Sequence, residues 1–101
     1  MPLDKNECAW QLLTCEPPEL QNPEQALPFA LEANELTSHA NPSFLDTLAL
    51  AYHRTGDTAR ALETQKRALE LLPPGESPLR KELEARLAEF EAARTNERVP
   101  K

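Results

Sequence analysis

A chain of 101 residues carrying a net charge of −6 is the size of one domain, and it lacks the basic footprint that nucleic acid or an anionic membrane surface requires. It is 40% hydrophobic but only 5% aromatic, with no Ile and a single Val, Val99, which excludes a substantial sheet and implies a helical core of Ala and Leu. No apolar run approaches the ~20 residues of a membrane span, and the first six residues lack the basic and apolar parts of a secretory leader, so the expected location is cytoplasmic.

The first predicted helix covers about 3–15. Cys8, Ala9, Leu12 and Cys15 follow the helical period, with Trp10 and Leu13 on a neighbouring face. Cys8 and Cys15 are seven positions apart, roughly 10 Å along a helix axis. That is too far for a bridge within one helix, so both are read as reduced and packed. Residues 16–22 have loop chemistry, with Pro17 and Pro18 at the centre. Asn22 then offers a cap and Pro23 a first helical residue, opening a helix to 36 or 37 that packs Ala26, Leu27, Ala30, Ala33 and Leu36. Pro28 in its second turn should bend the helix or delay its start. The pair Asn41-Pro42 opens the third helix in the same way. Gly56 ends it, and Asp57 caps the fourth, which carries Ala61, Leu62, Ala68, Leu69 and Leu72 as far as Pro73-Pro74-Gly75. Ser77-Pro78 starts the fifth, with Leu79, Leu83, Leu87 and Phe90 in one stripe and charges opposite. A polar tail is expected from 96 to 101.

A repeat underlies this order. Ala61, Leu62 and Ala68 stand 35 positions after Ala26, Leu27 and Ala33. A period of that size indicates stacked helical hairpins, an architecture that presents binding surfaces. The segment 42–73 supplies Leu45, Leu48, Ala49 and Tyr52, then Ala61, Gln65, Ala68 and Pro73, and in this it resembles a tetratricopeptide repeat (TPR). The spacings match the family pattern. Leu45 stands where Trp is usual, and Gln65 stands where an aromatic is usual, which should weaken packing there. In the earlier, looser copy Ala9 and Leu12 are the counterparts of Ala49 and Tyr52, and the resemblance spans about 3–73. It implies an all-α fold: two antiparallel TPR-like hairpins (about 3–38 and 42–75) in a right-handed α-solenoid, closed by a capping helix at about 78–95. Residues 1–95 would form a single domain.

Chemistry is hard to find in the chain. There is no Gly-rich phosphate loop, CxxC pair, HExxH or GxSxG, and the many carboxylates spread over helical surfaces. The four candidate metal ligands Cys8, Cys15, His39 and His53 match no zinc spacing. The chain is therefore expected not to be an enzyme and to need no cofactor or metal. The TPR resemblance implies instead that the first helix of each hairpin lines a concave face for a protein or peptide partner. On helix one this projects Asn6, Trp10 and Leu13, and on helix three Ser43, Asp46, Leu50, His53 and Arg54. Trp10, Leu13 and Leu50 would anchor the partner, with the polar residues setting its register. Trp10 packed on helix two or the long loop is the plainer alternative, as is Arg54 simply favouring a helix C-terminus. With Asp46 and Leu50 on the inner side, a Lys- and Asn-built clamp for a peptide carboxylate is not expected. Two hairpins are few for such a stack, and helix one has no preceding partner. The chain is thus expected to be a C-terminal piece of a larger protein or, failing that, to form a homodimer through the uncovered face of helix one.

Overall fold

In the computed structural model, residues 5–16 and 18–98 are described, with side chains as far as Arg94. Among them lie five α-helices and no strand: α1 (Lys5–Thr14), α2 (Pro23–Leu36), α3 (Pro42–Arg54), α4 (Thr58–Leu71) and α5 (Pro78–Arg98). One 3-10 turn, Pro18–Leu20, breaks the long connection after α1. The expected start of the first helix at residue 3, and the tail at 99–101, lie outside the described residues.

The helix starts follow from local chemistry. Asn22 Oδ1 accepts the Gln25 N–H at 3.1 Å, and Asn41 Oδ1 accepts those of Ser43 and Phe44 at 3.0 and 3.3 Å. Asp57 Oδ1 and Ser77 Oγ do the same for Arg60 and Arg80, each at 3.1 Å. Each such cap contributes about 1 kcal/mol by satisfying an N–H the helix itself leaves free. Gly56 stands at φ +96°, where a side chain would be strained, and lets the chain reverse from α3 into α4.

Some boundaries differ from the sequence reading. Pro28 neither delays nor divides α2, which runs from Pro23 to Leu36. Pro28 lies so near the helix start that it deprives one carbonyl, that of the exposed Glu24, of its partner. Cys15 and Leu72 fall just beyond their helices, and α5 continues to Arg98. The turn between α2 and α3 was not foreseen at all: Ser38 and His39 adopt φ of 54° and 55° without being glycine. Hydrogen bonds hold them there, from the Ser38 N–H to the Glu35 carbonyl (3.1 Å) and from the His39 N–H to that of Asn34 (2.7 Å).

Each helix packs on the next, and α1 also touches α3. The smallest dimension, 22 Å, is two helix diameters, so the helices form two layers. Small residues set their spacing. Ala9, Ala26, Ala30, Ala49, Ala51 and Ala61 are fully buried and let the backbones approach, while Leu13, Leu48, Leu62 and Phe90 fill the space between. A second cluster joins Leu45, Ala68 and Leu83 where α5 meets α3 and α4.

Two buried amides tie the layers together. Asn34 Nδ2 donates to the Ala30 carbonyl within α2 (2.9 Å) and to the Phe44 carbonyl of α3 (3.0 Å). Gln65 Nε2 donates to Asp46 Oδ1 and to the Leu83 carbonyl, both at 2.9 Å. Gln65 Oε1, by contrast, is buried with no hydrogen-bond partner among the described residues. The side chain is fully buried and links α3, α4 and α5 through directed bonds that an aromatic ring could not make.

Candidate functional site

An open groove of about 500 Å³ lies where α1, α3 and α5 converge. Helix α1 lines it with Asn6 and Trp10, one turn apart, and α3 adds Ser43, Asp46 and Thr47. The third wall is α5, through Leu79, Glu82 and Arg86. All three sets recur at three or four positions, so each helix turns a single stripe toward the groove.

The polar side of the groove is organised around Asp46. Its Oδ1 accepts Arg86 Nε at 2.7 Å as well as the Gln65 amide, and only 7% of the residue is exposed. The Arg86 guanidinium also lies over the Trp10 ring, 5.5 Å from its centroid. One arginine of α5 thus touches both the α3 carboxylate and the α1 indole, which fixes where α5 crosses the front of the other two helices. Trp10 remains 36% exposed.

The eight residues singled out from the sequence divide evenly. Asn6, Trp10, Ser43 and Asp46 meet in the groove. Leu13 and Leu50 do not: at 1% and 9% exposure they belong to the core, in the cluster that also holds Phe90 of α5. Both are enclosed in the protein interior, so neither leucine can serve as a surface anchor. His53 is committed as well. Its ring packs against that of Phe90 with centroids 4.9 Å apart, and its Nδ1 lies 3.3 Å from Thr58 Oγ1.

Arg54 has an architectural part. Its Nη1 donates to the Leu13 carbonyl near the end of α1 (3.1 Å), and its Nη2 to Gln21 Oε1 (2.8 Å). Gln21 Nε2 in turn donates to the Cys15 carbonyl (3.1 Å). The cation thus pins the loop after α1 and offsets the negative end of that helix, close to the plainer alternative for this residue.

Sequence reasoning did not place Leu79, Glu82 and Arg86 at a site, because it reads α5 as a capping helix or, alternatively, as a coiled-coil or partner helix. The signal that could have found them is the i, i+3, i+7 spacing of a polar stripe beside the apolar one.

Two further depressions bear on the chain's candidate residues. One, about 350 Å³, lies on the outer side of the first hairpin between Cys8, Leu12 and Cys15 on one side and Gln25 and Phe29 on the other. Both cysteines are free thiols. The other, about 450 Å³, is floored by Leu45 and Leu48 and flanked by His39, Tyr52 and Arg67. Among the described residues no three His, Cys, Asp or Glu side chains gather as a metal site would require, and no helix is long and apolar enough to cross a membrane.

Chemically, the Trp10 groove offers an aromatic face, hydroxyls and carboxylates on a fixed backbone. No family model, no curated protein and no solved structure matches this chain.

Proposed function

We propose that the chain is a non-catalytic protein–protein interaction module of TPR-like build. In this reading α1–α2 and α3–α4 are two stacked hairpins, and α5 caps the stack while serving as a third inner helix. The helix pairing supports it: neighbours in sequence pack together, and the first helices of the two hairpins touch each other. So does the recurrence of buried Ala26, Ala61 and Ala68 at the small-residue positions of the repeat.

A partner peptide or helix lies across α1, α3 and α5, with Trp10 as its anchor. The observation that carries this is the 36% exposure of the chain's only Trp in the wall of a three-helix groove. An indole held on a helix presents a large contact area with little rotamer freedom left to lose. The partner's register comes from Asn6, Ser43 and Glu82. Leu13 and Leu50, being core, have no part in it.

The test is Trp10→Ala in affinity capture of partners, with Lys66→Ala, an exposed position of α4, as the control. Loss of the captured set with Trp10→Ala alone supports the reading; an identical set from both variants refutes it.

The outer groove of the first hairpin favours a second reading, self-association through the uncovered side of α1. Leu12 and Phe29 are only partly buried there. Light scattering across a wide concentration range separates the two, since only this reading expects the mass to double. A dimer dispersed by Phe29→Ser would establish it.

A further inference from the structure

The groove has a sign as well as a shape. Two carboxylates, Asp46 and Glu82, line it against one guanidinium, that of Arg86, which is already spent on Asp46. Glu82 is exposed, one turn before Arg86 on α5, and has no ion-pair partner among the described residues. The chain as a whole carries −6. The fold also displays a mode of recognition in miniature, with the Arg86 guanidinium resting on the Trp10 ring while its Nε bonds to a carboxylate.

We infer that the partner of this groove is a basic peptide whose anchor is an arginine. The inference rests on the groove being the interaction surface. The incoming guanidinium stacks on the exposed part of the Trp10 ring and pairs with Glu82, repeating on the outside what Arg86 does on the inside. Leu79 meets the apolar stem of that arginine, and the Ser43 hydroxyl accepts a spare N–H. The other occupants fit less well. An acidic segment would face Asp46 and Glu82 without a free cation to receive it. A second copy of the chain would bring its own −6 to the same acidic surface. An uncharged apolar helix would find only Leu79 and part of Trp10.

Trp10 is the sole Trp, so its emission reports this groove directly. The experiment titrates the intact chain with three end-blocked peptides of one Ala/Ser frame, bearing arginine, citrulline or glutamate at the same positions. Citrulline keeps the planar shape and removes the charge. The arginine peptide should shift Trp10 emission saturably and bind at least roughly tenfold more tightly than the citrulline peptide. Its affinity should fall as salt rises through the range where exposed charges are screened. Glu82→Lys, a change on the exposed side of α5 that leaves the core untouched, should weaken it roughly tenfold with the far-UV circular dichroism unchanged. Equal binding of the citrulline peptide, preference for the glutamate peptide, or indifference to Glu82→Lys would overturn the basic anchor and leave the groove as an interaction surface. A Trp10 signal unmoved by all three peptides would also overturn it, and the groove itself then stands or falls with Trp10→Ala in partner capture.

Discussion

Replacing Arg86 by Met removes a cation and keeps most of the side chain's stem. Three contributions follow from the geometry. The 2.7 Å bond from Nε to Asp46 Oδ1 is charge-assisted and little exposed, with side-chain exposures of 21% and 11%. Bonds of that kind contribute about 1.5–3 kcal/mol. The guanidinium over Trp10 adds about 0.5–1 kcal/mol at a site this open. Asp46 is then left with the Gln65 amide as its hydrogen-bond donor, a residual cost of the sort that makes one-sided removal of enclosed pairs expensive. Against these, Met retains contact with the groove wall. The expected net loss is about 2–4 kcal/mol, which lowers Tm by roughly 10–25 °C in a domain of this size. Urea unfolding followed by Trp10 emission measures it, and the native emission should itself shift as the ring loses its cation. The double variant Asp46→Leu with Arg86→Met strands no charge but leaves a buried Gln65 N–H without its acceptor, so it should recover only part of the loss. A Tm for Arg86→Met within a degree or two of the parent chain would refute the reasoning. It would mean that the Asp46–Arg86 pair is a solvated contact and that α5 is held by apolar burial alone.

Other substitutions probe the remaining joints. Asn34→Ala should cost about 1–3 kcal/mol in urea unfolding, since it removes the bond from α2 to the Phe44 carbonyl. Phe90→Ala empties a fully buried ring site and should cost about 3–5 kcal/mol, with loss of the His53 ring-current shift as the spectroscopic companion. Gly56→Ala should cost about 1 kcal/mol by thermal unfolding; no atom lies within 4 Å of the added Cβ, so the cost is the strain of φ +96° and not a clash.

The sequence made some of this legible for clear physical reasons. Caps at Asn22, Asn41, Asp57 and Ser77 are local, since each depends on a side chain and an N–H three residues on. The positions of Ala9, Ala26, Ala49 and Ala61 are equally readable, because periodic small residues signal close helix approach and all four are buried. What failed depended on where α5 lies. Projecting α1 and α3 alone exposes Leu13 and Leu50. Phe90, from the middle of α5, joins the core cluster that holds both. Arg54 meets the Leu13 carbonyl 41 positions away, and Arg86 meets Asp46 40 positions away, distances over which no helical period carries information. The left-handed pair Ser38 and His39 escaped because Ser does not advertise that conformation and a single His signals it only weakly.

The central claim is that partners bind across the groove of Trp10, and a photo-crosslinking residue tests it most directly. Placed at Ser43, exposed in the groove, it should yield covalent adducts with another protein in cells, while the same residue at Lys66, exposed on α4, should yield none. Equal adducts from both positions, or an adduct at Ser43 consisting solely of two copies of this chain, would contradict the account.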